Sequence, residues 1–116
     1  MKRHFVLGSL LVAAVVAGCS GNPALQTETS SSAIRAAEAV GADTSPRAAL
    51  HLHLAKEELD QAEALSAKGK ADEATSLLMR TEADAELAIL LSQEQDEKAQ
   101  AALALERVRQ LQTTNR

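Results

Sequence analysis

The stretch SPRAALHLHLAKEELDQAEALSAKGKADEATSLLMRTEADAELAILLS, residues 45–92, decides the fold of this 116-residue chain. Ala48, Leu52, Ala55, Leu59, Ala62 and Ser66 recur at alternating steps of four and three. That spacing draws a narrow apolar stripe down one side of a helix. Glu57, Asp60, Gln61 and Lys68 fall on the other side, while Leu50 and Leu54 flank the stripe and are expected to cover a further helix. Ser45 suits the N-cap and Pro46 the first helical turn. Gly69 is placed to take a left-handed helix end, with Lys68 near the negative end of the dipole. Ala74, Leu78, Thr81, Ala85, Ala88 and Ser92 then repeat the four-three pattern. Two such helices joined by a short glycine turn read as an antiparallel hairpin. The small residues on both seams let the axes come close, toward the low end of the usual ~8–10 Å.

Upstream, Ser32 to Val40 reads as a short helix, capped by Ser31 or Ser32 and ended by Gly41, with Ile34, Ala37 and Val40 on one face. It is too short to stand alone and must pack on the hairpin. Residues 20–32, SGNPALQTETSSS, read as a polar tether, because Gly, Pro and a Ser/Thr cluster oppose regular structure.

Downstream the pattern breaks twice. Leu87 to Leu91 is apolar all round, so a second surface there needs burying, whereas residues 92–98 are polar all round but hold no Gly or Pro to stop a helix. Ala101, Leu105, Val108 and Leu111 then form a new stripe, rotated from the first. A helix over 71–112 would be ~63 Å long at 1.5 Å per residue, about twice its partner. Its end must overhang, pair with another copy or fold back, and residues 113–116 are expected to fray. The candidate interaction surface is therefore Leu87, Leu90, Leu91, Ala101, Leu105, Val108 and Leu111, weighed evenly against an intramolecular core. The fold expected is all-α: an antiparallel hairpin or slender three-helix bundle over 33–112, with a long C-terminal helix.

Composition narrows the chemistry. The formal net charge is −4, and two of the 12 basic residues, Lys2 and Arg3, lie in the N-terminal stretch with none of the 16 acids. No basic patch remains for nucleic acid. Phe5 is the only aromatic residue, so the rest of the chain lacks the faces that usually grip bases and sugars. Ala- and Leu-rich helices bury little area per residue, and no deep pocket, small-molecule substrate or cofactor is expected. His51 and His53 stand two apart, roughly 200° around a helix, and cannot chelate one metal together. The carboxylates, Glu57, Glu58, Glu82, Asp84 and Glu86 among them, repeat at helix-surface spacing and read as a solvated face rather than a catalytic pair. Neither a metal site nor an enzyme is expected.

The N-terminus carries an address. A basic MKRH opening, an apolar run from Phe5 to Ala17 and a small-residue exit have the three-part layout of a secretory signal peptide. The run falls short of the ~20 residues that cross a bilayer. Val16-Ala17-Gly18-Cys19 resembles the lipobox of bacterial lipoproteins. The resemblance implies cleavage between Gly18 and Cys19 and a diacylglyceryl group on the Cys19 sulfur, the only cysteine in the chain. Two or three acyl chains on one residue hold a protein on a membrane. Ser20, standing where aspartate would favour retention at the inner membrane, points to the periplasmic face of the outer membrane.

The runs AAEAVGADTSPRAALHLHLAKEELDQA, KGKADEA and RTEADAELA resemble an uncharacterised family of small Gram-negative lipoproteins classed as a domain of unknown function, over about Ala33 to Ala102. The resemblance implies an envelope location. The role expected is a non-enzymatic helical scaffold or adaptor, held by the lipid on Cys19, with a helical protein partner or a second copy at the apolar stripe. The alternative is a structural envelope lipoprotein that touches peptidoglycan without a covalent link.

Overall fold

The computed structural model describes residues 23–115. The order is α1 (Pro23–Ala39), a 3-10 turn (Ala42–Thr44), α2 (Pro46–Ala67) and α3 (Ala71–Thr114). The three helices form a slender bundle with a long C-terminal helix, as the spacing predicts. The leader, Gly18, Cys19 and residues 20–22 lie outside the described residues.

The hairpin forms where the glycine pattern puts it. Gly69 has φ +74°, which an L side chain resists. Lys70 N–H donates to Leu65 O at 3.0 Å and Gly69 N–H to Ser66 O at 3.0 Å. This is the paired closure that satisfies orphan carbonyls at a helix end. Pro46 opens α2 as expected. Ser45 holds the cap position in extended backbone, but its hydroxyl makes no cap bond; its carbonyl accepts from Ala49 N–H at 2.8 Å. Gly41, at φ +72°, ends α1.

α1 differs from the expectation. Helix begins at Pro23, so residues 23–32 are not tether but the first half of α1. Pro is tolerated at a first helical position, and no Gly or Pro follows before Gly41. The Ser/Thr run is held by tertiary contact: the buried Ser30 hydroxyl lies 3.3 Å from Leu78 O and 3.2 Å from Glu82 Oε1. At the far end, the Ser92 hydroxyl donates to Val40 O at 2.9 Å, satisfying a carbonyl the helix end leaves open. These two bonds also fix direction. α1 runs parallel to the first half of α3, and Lys56 pairs with Glu38 at 2.5 Å across the antiparallel α1–α2 contact.

The core is an alanine seam. Ile34, Ala37, Ala42, Ala48, Leu52, Ala55, Ala85, Ala88 and Leu91 form one buried cluster, with Ala33, Leu59 and Ile89 packed on it. All six α3 seam positions, Ala74 to Ser92, are buried. On α2 the match is partial. Ser66 is exposed because α3 has only begun at that level, and Leu50 points to solvent rather than onto α1. Val40 is likewise exposed, beyond the last turn of α1. The frayed tail does not hold as expected either. α3 continues through Thr114, with the Thr113 and Thr114 hydroxyls donating to Gln110 O at 2.8 and 2.9 Å.

Past Glu94, where Arg47 of α2 makes its 3.5 Å contact, α3 runs on alone. The last 20 residues of a helix rising 1.5 Å per residue project ~30 Å beyond the bundle.

Candidate interaction surface

With about 3.6 residues per turn, Leu87, Leu90, Ala101, Leu105 and Val108 fall on the side of α3 away from its seam, and Leu111 at the edge of that side. The alanines of the seam bind α1 and α2; the outer stripe faces none of them. Leu105 is 61 %, Val108 50 % and Leu111 58 % exposed, and Leu90 and Ala101 are exposed as well. The apolar run Leu87–Leu91 therefore splits. Leu91 is 8 % exposed and belongs to the buried cluster, which removes it from the candidate surface. One step of about 100° separates Leu90 from Leu91, and the bundle covers only the second.

Leu103 was missing from the candidate surface and is exposed. It continues the line of the inner seam into the overhang, where no helix faces it. Ala104 is exposed on the outer side. A strict seven-residue count from Leu90 finds both Ala104 and Leu111, so periodicity carried that signal.

The charged residues make a second constellation between α2 and α3. His51 Nδ1–H donates to Asp84 Oδ1 at 2.7 Å, both half-buried. One turn along, Arg80 Nη2 reaches Glu58 Oε1 at 2.6 Å, and Glu58 is only 5 % exposed. Glu58 Oε2 is buried with no donor in reach. Burial pushes the Glu58 carboxyl above its ordinary range; Arg80 pulls it down in part, and the Asp84 carboxylate, which can accept a hydrogen bond from protonated Glu58, raises it again. The solvated-face reading fails at this residue. Leu59 packs on the α1-side cluster, leaving its neighbour Glu58 to face α3.

A raised folded value means the native chain holds this proton more tightly than the unfolded chain does. Stability from Glu58 is complete in acid and is lost as pH rises from the ordinary carboxylate range through the elevated one. Glu58→Gln should therefore unfold at higher urea than wild type at pH 8, the gap closing as pH falls toward 4. Arg80 is largely exposed and keeps water when its partner is neutral, so its loss of charge pairing costs little. Urea midpoints across pH 4–8 test this; a constant gap would refute it.

Two further charged pairs keep contact with water. His53 sits 3.4 Å from Glu57, exposed, as its spacing predicts. Glu94 bonds Lys98, which holds its carboxyl below the usual range. Among the described residues, no three His, Cys, Asp or Glu side chains are grouped to hold a metal, and no helix is long and apolar enough to cross a membrane.

The profile of a family described as a domain of unknown function, DUF4398, matches residues 26–104. No curated protein and no solved structure matches the chain.

Proposed function

The chain belongs to the DUF4398 family, a domain of unknown function, and from that premise we propose that it is a lipid-anchored, non-catalytic helical scaffold of the bacterial envelope. The domain match begins at residue 26, so α1 is part of the domain, and residues 20–22 are all that separates Cys19 from Pro23, where α1 starts. Three residues reach ~10 Å when extended. Because α1 runs parallel to α3, its start lies level with the Gly69 turn. A lipid on Cys19 holds the turn end against the bilayer and sends the overhang outward. The orphan apolar stripe at the far end, Leu105, Val108 and Leu111, is the observation that carries the scaffold reading. Exposed apolar patches of this kind mark contact sites.

The membrane is the outer one, at its periplasmic face, on the strength of Ser20. The acids support no second activity here: apart from Glu58 and the partly buried Glu82, Asp84 and Glu94, they lie on solvated faces.

Cys19→Ala is the direct test. The native chain should sediment with membranes and carry a diacylglyceryl mass on Cys19, and the variant should move to the soluble fraction, a shift of at least tenfold in its distribution given two or more acyl chains. A native chain with a free thiol and an intact leader would remove the anchor. For the scaffold, a photo-crosslinker at Leu111 should yield adducts of discrete mass, and one at Glu63 on the solvated side of α2 should not.

A further inference from the structure

We propose that the tip of α3, past Glu97, lies flat on an anionic lipid bilayer, with Leu105, Val108 and Leu111 in the interface and Arg107 and Arg109 on the lipid phosphates. The inference deepens the scaffold reading: it rests on the orphan stripe being a contact surface and names what that surface meets. It does not depend on a lipid at Cys19.

Charge is divided sharply along the chain. From His4 to Glu97 there are 15 acids and six basic residues; past Glu97, Lys98, Arg107, Arg109 and Arg116 stand against a single acid, Glu106. Lys98 is taken up by Glu94. Arg107 belongs to no ion pair among the described residues, and Arg109 meets Glu106 only at 3.7 Å. The bundle is acidic and the tip is basic, a split that the net charge of −4 conceals.

The helix period places these charges. At about 100° per residue, Leu111, Ala104, Val108, Ala101 and Leu105 fill an arc of about 120°. Arg107 comes four residues before Leu111 and Arg109 four after Leu105, so each stands about 40° beyond one border of the arc. Glu106 is two residues from Val108, about 160° round, on the far side with Gln110 and Thr113. Leu103 is the one large apolar residue of the tip that lies off the arc. All of these side chains are exposed.

An apolar arc with a cation on each border and the acid opposite is the pattern of a helix lying in a membrane interface. The arginine stems run along the apolar surface and carry the guanidinium groups up to the headgroups. There each cation is drawn to the anionic leaflet. A helical protein partner fits less well. Alanine holds two of the four seven-residue positions between Ala101 and Leu111, so so short a pair would bury little area. A bilayer asks for no register and accepts a single short amphipathic helix. Glu94, Asp96 and Glu97 ring α3 just below the tip. An anionic surface repels that ring and the acidic bundle behind it, which confines the contact to ~24 Å of helix.

The chain from Ser20 onward keeps all three helices and contains no cysteine, so it carries neither leader nor lipid. It should pellet with vesicles of equal phosphatidylglycerol and phosphatidylcholine at about 1 mM lipid, and stay in solution with phosphatidylcholine alone. Salt at roughly 0.5 M should release it. Arg107→Gln combined with Arg109→Gln should weaken binding about thirtyfold, and Val108→Ser about tenfold, with helix content by circular dichroism unchanged. Arg35→Gln, on the bundle, should bind as the parent does. Binding that ignores lipid charge, or that survives either tip variant, overturns the proposal. So does a dimer of the lipid-free chain in light scattering, which would put a second copy on the arc. A native chain that sediments with membranes while its Ser20 form ignores these vesicles would leave the Cys19 anchor standing and sink this contact. Protein adducts from the photo-crosslinker at Leu111 would keep the stripe as a docking surface and overturn the bilayer as its occupant.

Discussion

Leu78→Ala is expected to lower the unfolding free energy by about 3–4 kcal/mol, the largest effect of any single truncation in this bundle. Leu78 is the largest fully buried side chain among the described residues, at 1 % exposure. The substitution removes three carbons from water-free space, and the cost then depends on how far the surroundings collapse into the gap. Here they have little to collapse with. The α2 and α3 seams around this level are mostly alanine, Ala55, Ala62, Ala74 and Ala85, with Leu59 and Thr81 the larger members, and alanine has no rotamer to swing into a void. The loss should therefore sit in the upper half of the usual range. For a domain of this size each kcal/mol shifts Tm by roughly 4–8 °C, so Tm should fall by about 15–25 °C. A drop below about 5 °C would mean that the position is not enclosed as described.

Ala85→Leu should cost about 2–3 kcal/mol for the opposite reason. Ala85 is wholly buried in the cluster that joins all three helices. Three added carbons have no space, so the axes must part. Helix propensity is nearly equal for the two residues, differing by ~0.2 kcal/mol, which leaves packing as the cause. Ala102→Leu is the control. Ala102 is exposed on the overhang, and the same chemical change there should stay within about 0.5 kcal/mol. Urea denaturation of the three chains measures the contrast directly. Equal effects at 85 and 102 would refute close packing of the seam.

Taken together, these substitutions explain why the bundle is thin. An alanine seam gains close backbone approach rather than large buried area per residue. Its stability then leans on the few large residues that do enter, Leu52, Leu78, Leu91 and Ile34. It also leans on polar stitches such as Ser30 to Leu78 and Ser92 to Val40. Removing a buried partner of this kind leaves an unsatisfied group behind, which costs more than the bond contributed.

The amino-acid order alone determined the hairpin, since the four-three repeat on either side of Gly69 is a local property that a single helix face expresses before anything packs on it. The rotation of the second stripe was equally legible, because Ala101, Leu105, Val108 and Leu111 keep a fixed angle to Ala85 and Ala88 along one helix. Three things only the tertiary structure decided. The Ser/Thr run became helix because Ser30 found its partners 48 and 52 residues away, and local composition carries no trace of a contact that distant. Leu91 went inward and Leu90 outward because α1 and α2 occupy one side of α3 and stop short of the other. Glu58 was buried although it looks like any surface acid, because the neighbouring Leu59 took the α1 side and left it facing α3. In each case periodicity states which residues share a face, and only the position of the other helices states which face is covered.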